Sequence, residues 1–205
     1  MTADVKIPRA FYEGDDVVAI SQALLGKVLC TKKGRTLTRA VIIETEAYAG
    51  IGDRASHAYG DRRTKRTEPM YGPGGTAYVY LCYGIHHLFN VVTNQEGTPH
   101  AVLVRAGVPL TGGVAMSRRR GYGQDDPRLL SGPGSLAKAM GITTELTGAD
   151  LGGSHVWLED RGIVVAKDTV VAGPRVGVDY AAEDALLPYR FRVDAGSLSD
   201  LAGAA

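Results

Sequence analysis

Apolar and polar positions alternate with a period of two along much of this chain, which is the spacing of strands with one buried face. The clearest run is Val41-Ile42-Ile43-Glu44-Thr45-Glu46-Ala47-Tyr48. Its β-branched residues favour a strand over residues 39–48. Alternation then places Ile42, Glu44, Glu46 and Tyr48 on one face and Val41, Ile43, Thr45 and Ala47 on the other. A second run, Ala77-Tyr78-Val79-Tyr80-Leu81-Cys82-Tyr83-Gly84, turns Tyr78, Tyr80 and Cys82 one way and Val79, Leu81 and Tyr83 the other. Further strands are expected at 27–33, 88–93, 101–105, 155–159, 163–166 and 189–193. Tyr83-Gly84-Ile85-His86 falls at the bend between two of them.

Helical spacing is rarer. Asp15 and Asp16 can cap a helix through about Leu25, with Val17, Ile20, Leu24 and Leu25 apolar and Gly26 as its stop. Thr111 is expected to cap a helix through about Arg120. Ser131-Gly132-Pro133-Gly134-Ser135 opens another, with Leu136, Ala139 and Met140 inward and Gly141 ending it. Residues 1–12 read as an irregular lead-in and 194–205 as a fraying tail. Residues 50–75 form a long polar stretch, and loops of that length inside a compact domain usually serve function.

The pattern shows no repeat and no linker, so 205 residues make one domain. The 27 glycines fit many tight turns in an α+β fold. A net charge of only +1 means that any basic surface must be local. Cys30 and Cys82 sit far apart in apolar runs and read as buried thiols of a reducing compartment, not as a disulfide. Without an apolar leader or a membrane-length run, the expected location is the cytoplasm, nucleoid or nucleus.

The candidate chemistry is carboxylate chemistry. No Ser–His–Asp or Cys–His set and no zinc spacing is evident, and no metal or cofactor is expected. Glu46, beside aromatic rings, is either a buried acid bonded to arginine or backbone, or a general base for water. Any single tyrosine belongs more often to a core. Five in one neighbourhood (Tyr48, Tyr71, Tyr78, Tyr80, Tyr83) suit stacking on a planar ligand such as a nucleobase. Arg62-Arg63-Thr64-Lys65-Arg66-Thr67, next to Gly72-Pro73-Gly74-Gly75, suits phosphate contacts, although most charge runs are solvated loops. Arg118-Arg119-Arg120 is a weaker second patch.

Glu44-Thr45-Glu46-Ala47-Tyr48, His57, the arginine-threonine loop, Tyr78-Val79-Tyr80 with Tyr83-Gly84, Asn90 and Val104-Arg105-Ala106 together resemble the alkyladenine (3-methyladenine) DNA glycosylase family. The similarity continues through Ser131-Gly132-Pro133 and Val156-Trp157-Leu158-Glu159 to Arg175-Val176-Gly177-Val178. It spans about residues 11–193, with 143–155 poorly matched and Gly74 standing where some relatives place proline.

The resemblance implies a single α+β domain: a curved antiparallel sheet flanked by helices, with a protruding hairpin that enters the DNA minor groove. It also implies a monomer that acts on double-stranded DNA containing damaged purines. The implied reaction flips and excises alkylated or deaminated purines without strand cleavage. By resemblance Glu46 activates water, which Arg105 and the Val176 carbonyl help to hold. Tyr48, His57, Tyr80 and Asn90 would form the base pocket, and Tyr83 the intercalating wedge. Arg62, Thr64, Arg66, Met70 and Gly177 would lie near DNA. The alternative is a module that binds damaged or structured DNA without catalysis.

Overall fold

The computed structural model describes residues 5–198. Its centre is the long strand β2 (Thr36–Tyr48). Seven more strands complete the sheet: β1 (Val28–Lys33), β3 (Ala77–Cys82), β4 (His86–Thr93), β5 (His100–Thr111), β6 (Val156–Glu159), β7 (Val171–Gly173) and β8 (Arg190–Arg192). All pairings are antiparallel, in the order β3-β4-β5-β2-β1-β6, with β8 joining β2 to β7. The sheet curls, and four helices accompany it: α1 (Arg9–Tyr12), α2 (Val17–Ala23), α3 (Gly113–Arg120) and α4 (Pro133–Met140). The fold is a single α+β domain, as expected.

Consecutive residues of the strands belong to opposite faces. Ala47, Val79, Val91 and Val102 enter the main core, with Ile20 and Leu24 from the α2 region, Met116 from α3 and Leu136 and Met140 from α4. Their neighbours Tyr78, Val92 and Ala101 enter a small cluster with Ala58, Met70 and Tyr71. Tyr48 packs against a third cluster of Ala55, Val178 and Ala181. The second face therefore carries no continuous apolar layer. It is covered by the 50–75 stretch and by the segment around Val178.

The middle of β2 is irregular in a useful way. The β2–β5 register shifts between Ile42 and Glu44 and again between Glu44 and Thr45, so Ile43 and Arg105 bulge. At that point β2 changes its second neighbour. Residues up to Val41 pair with β1, whereas Glu44–Glu46 pair with β8. The acidic stretch thus has strands on both sides, which gives its side chains a rigid base. Glu44, Glu46 and Tyr48 share a face as alternation requires. Ile42, across the bulge, lies fully buried in the main core.

Several boundaries differ from the sequence reading. Thr111 ends β5 rather than capping a helix, because the ladder with β2 continues to Arg39↔Thr111 and Gly112, at φ 82°, makes the turn. Among the described residues, 163–166 make one bridge, Val165 to Leu198, rather than a strand, and Val165 packs over Gly26. Arg9–Tyr12 is helical, within the expected lead-in, and the 3-10 turn Ala195–Ser197 orders the start of the expected tail. Residues 1–4 and 199–205 lie outside the described residues. The poorly matched 143–155 segment covers the free edge of β3: Thr147 Oγ1 bonds the Val79 backbone, Gly148 N–H donates to Ala77 O (2.8 Å), and Ala77 N–H donates to Ala149 O (2.8 Å). Gly74 packs against Tyr12 and Asn94 carbonyls, 2.7 and 2.9 Å from where a Cβ would sit, and its N–H donates to Asn94 O. Proline could supply neither.

Candidate active site

A cavity of about 560 Å³ opens on the second face of the sheet. Its floor comes from β2, β4 and β5 (Tyr48, Asn90, Leu103, Arg105) and one wall from β3 (Tyr78, Tyr80, Cys82). The 50–75 stretch supplies His57, Arg66 and Met70, and the late segment supplies Val176, Gly177, Val178 and Tyr180. Cys82 is half-buried here, not buried as expected; both cysteines are free thiols.

Glu46 lies just behind this floor, fully buried. Three donors hold its carboxylate. The Tyr48 hydroxyl donates to Oε2 (2.9 Å), Arg105 Nη1 lies 3.2 Å from the same oxygen, and the Val176 N–H donates to Oε1 (2.8 Å). A buried carboxylate with three donors meets the usual requirement for burying charge. Arg105 also donates through Nε to Glu44 Oε1 (2.9 Å), which accepts a second bond from Arg190 Nε (2.6 Å). Two carboxylates and two arginines thus alternate beneath the cavity. Burial pulls the Arg105 pKa down, but Glu46 and Glu44 outweigh it and the net shift is upward. Burial first, and then the Glu46 charge, hold the Tyr48 phenol well above its ordinary pKa, so it remains a donor.

The loop bearing Val176 is fixed by an ion pair that the sequence reading did not find. Arg175 and Asp53 have side chains only 0% and 2% exposed, and they pair through Nη1–Oδ2 (2.5 Å) and Nη2–Oδ1 (2.8 Å). Arg175 also donates to Ala47 O and Asp184 O. Its guanidinium sits 4.9 Å from the Tyr48 ring centre. Asp53 Oδ2 and Oδ1 accept from the Ala49 and Ala55 N–H groups as well. One buried pair therefore ties three things together: the end of β2, the start of the 50–75 stretch and the loop that donates to Glu46.

His57 faces Tyr80 edge-on, with ring centres 4.6 Å apart, and its Nδ1 is 2.9 Å from the Tyr78 hydroxyl. Burial, Arg66 and Arg62 lower its pKa to about 4, so the ring is neutral at pH 7. A neutral imidazole offers one donor and one acceptor to a flat ligand's edge. Tyr78, which the sequence places among the five clustered tyrosines without a role of its own, is the partner that orients it. Arg66 stacks 5.0 Å from the Tyr80 ring centre. Asn90 is buried, and its amide donates to the Tyr78 and Leu88 carbonyls.

The remaining residues named from sequence divide. Arg62 and Thr64 line an adjoining groove of about 400 Å³, which shares His57, Arg66 and Tyr180 with the main cavity. Within the basic run, Arg63 is taken up by Glu68 (2.9 and 2.7 Å), leaving Arg62 and Arg66 to face the groove. The Thr64 hydroxyl lies 3.2 Å from the Thr67 hydroxyl, inside the loop. Met70 is buried in the cluster with Tyr71 and Tyr78. Tyr83 stands at the β3–β4 turn, 90% exposed and at φ 50°, with Gly84 at φ 73°. Both φ values are positive, as a tight hairpin turn requires. In the Arg118-Arg119-Arg120 run, Arg119 donates to Ala139 O of α4, and Arg120 donates to Leu129 O of the connecting loop and to Ser135 Oγ of α4, so both tie α3 to α4.

A model of the methylpurine-DNA glycosylase family matches residues 10–197. The chain belongs to that family. Curated relatives agree in extent. A protein of Chlamydia abortus named "Putative 3-methyladenine DNA glycosylase" is 43% identical over 187 residues, covering 90% of this chain and 96% of the relative. Relatives of the same name from Desulfitobacterium hafniense (41% over 196 residues; 92% and 95% covered) and Bacillus thuringiensis (40% over 196 residues; 91% and 95% covered) are similar. Among the described residues, no helix is long and apolar enough to cross a membrane, and no group of three or more His, Cys, Asp or Glu could hold a metal ion.

Proposed function

We propose that this chain excises alkylated or deaminated purines of the 3-methyladenine type from duplex DNA, opening base excision repair. The observation that carries this reading is Glu46. A fully buried carboxylate is held by three donors directly behind an aromatic cavity large enough for a nucleobase.

A base within a duplex is out of reach, so it must be rotated into such a pocket. Tyr83 is the wedge: its exposed ring fills the gap left in the stack. Tyr48 and Tyr80 stack on the extruded base, and stacking on electron-rich rings favours a cationic, alkylated purine. His57 reads the edge of the base, and Asn90 limits what substituents the pocket admits.

The bond from C1′ to the purine nitrogen breaks, and its electron pair leaves with the base. Water adds to the oxocarbenium-like C1′ and its proton passes to Glu46. For this, water displaces one of the three donors on Glu46. The Tyr48 hydroxyl, on a half-buried side chain against the base, is the one that yields, while Arg105 and the Val176 backbone keep their places. No lysine lines the cavity, which favours water over an amine as the nucleophile.

The test is direct. Duplex oligonucleotides carrying single 3-methyladenine, 7-methylguanine, hypoxanthine or ethenoadenine lesions are incubated with the protein, and free base, abasic sites and strand breaks are measured. Free base with an equal yield of intact abasic strand is expected. Binding without base release would favour a non-catalytic module, and strand cleavage at the abasic site would contradict the water mechanism.

A further inference from the structure

The β3–β4 hairpin separates two cavities, and only one belongs to the site described above. On the far flank lies a groove of about 450 Å³ lined by Ile85, His86 and His87 of the hairpin, Lys33 at the end of β1, Arg119 of α3, and Gly134, Lys138, Gly141, Ile142 and Thr143 of the α4 region. No carboxylate is among its lining residues. Three cations and two histidines therefore converge on it from β1, the hairpin, α3 and α4. Lys33 and Lys138 are exposed. Arg119 is fixed, donating to Ala139 O (2.8 Å), and His87 Nδ1 accepts from the Thr144 N–H (3.2 Å). Two glycines make the convergence possible. A Cβ at Gly134 would lie 3.0 Å from the His86 ring, and one at Gly141 would lie 2.9 Å from the Arg119 guanidinium carbon.

We propose that this groove seats the backbone phosphates of the undamaged strand. The inference rests on the reading of the chain as a glycosylase of duplex DNA. An element inserted into the minor groove, which is only about 6 Å wide, has a sugar-phosphate backbone on each side. Here the hairpin has a basic groove on each side. Arg62 and Arg66 lie beside the base pocket, which the hairpin lines through Leu81 and Cys82 of β3, and Lys33, Arg119 and Lys138 line the groove on the side of His86 and His87 of β4. The two sides interleave at the tip. Tyr83 and Pro133 line the pocket, while the adjacent Ile85 and Gly134 line the groove. With a net charge of only +1, three cations gathered into one groove, where a carboxylate, Glu145, accepts from the Thr143 hydroxyl (3.2 Å), form a directed feature of the surface. Binding to both backbones would hold the duplex symmetrically about the wedge, and it carries no sequence information.

The experiment measures affinity against salt for the full chain. The duplex carries a tetrahydrofuran abasic analogue, and a pair of uncharged methylphosphonates is walked along one strand or the other. Lys33→Gln with Lys138→Gln should lower the slope of log affinity against log salt by roughly two, at about 0.9 for each phosphate no longer neutralised. Wild-type protein should lose slope when methylphosphonates occupy one stretch of the undamaged strand, and the double variant, which keeps only Arg119 of the three cations, should lose much less there. Arg62→Ala should keep that sensitivity and lose the corresponding one on the lesion strand. An unchanged slope in the double variant, or undamaged-strand sensitivity retained in full, would overturn the proposal. Both lysines are exposed, and thermal melting confirms that the variant folds. Base release by wild-type protein from a duplex carrying 3-methyladenine in place of the abasic analogue, measured alongside, separates the two readings. Its absence sinks the glycosylase assignment, whereas base release with an unchanged slope sinks the groove alone.

Discussion

On one face of the sheet, Val79, Val91 and Val102 meet Leu24, Met116, Leu136 and Met140 in a single dry cluster. On the other, the neighbouring residues Tyr78, Val92, Ala101 and Tyr48 meet two small clusters, and between these lie Glu46, Arg105, Glu44, Arg190, Arg175 and Asp53. The same strands build both faces, one residue apart. The helix side is held by apolar burial, which is non-directional and tolerates repacking. The cavity side is held by charge-assisted hydrogen bonds, which fix atoms in place but fail badly when one partner is removed. Stability and positioning are therefore divided between the two faces.

The strongest way to break this comparison is at Arg175. Arg175→Met leaves Asp53 charged, buried and unpaired, and should cost about 3–5 kcal/mol in denaturant unfolding. Adding Asp53→Asn should recover most of that stability. Base release should remain low in the double variant, because the Val176 N–H is no longer aimed at Glu46. Recovery of stability and activity together would show that the pair only supports the fold.

Leu136→Ala makes the converse cut. Leu136 is fully buried on the helix side, so its truncation should cost about 2–5 kcal/mol. Single-turnover excision at a temperature where the variant is folded should stay near wild type. A rate loss comparable to that of Arg175→Met would mean the two faces are coupled.

The smallest effect is a titration. His57 has its pKa lowered to about 4 from an ordinary 6.5 by burial and by Arg66 and Arg62. Its folded value lies below its unfolded value, so the unfolded chain takes the proton first as pH falls. The contribution of His57 to stability is then complete above about 6.5 and is lost as pH falls toward 4. Ring NMR of His57 should show a midpoint near 4, and Arg66→Ala should raise it by removing a neighbouring positive charge. A midpoint near 6.5 in wild type would place the ring in solvent.

Much of this division could be read from alternation. The period of two put Glu44, Glu46 and Tyr48 on one face and separated Tyr78 from Val79, because strand geometry is local. The bulges at Ile43 and Arg105 break that period and leave no mark in composition, so Ile42 fell on the wrong side. Arg175 and Asp53 stand 122 positions apart, and an ion pair between two irregular segments has no periodic signature. The only local hint is the placement of Arg175 immediately before Val176. The edge-covering role of 143–155 was equally hidden, since it rests on backbone bonds to β3 and one threonine hydroxyl.

The central claim is that Glu46, buried behind the aromatic cavity, is the base that acts on water. Glu46→Gln keeps the shape and one acceptor oxygen but removes the charge. Single-turnover release of 3-methyladenine from duplex DNA, with binding to the same duplex measured in parallel, tests it most directly. The account predicts that base release is abolished while binding to lesion DNA is retained. Near-normal excision by Glu46→Gln would contradict it and leave the carboxylate a structural anchor for Arg105 and Val176.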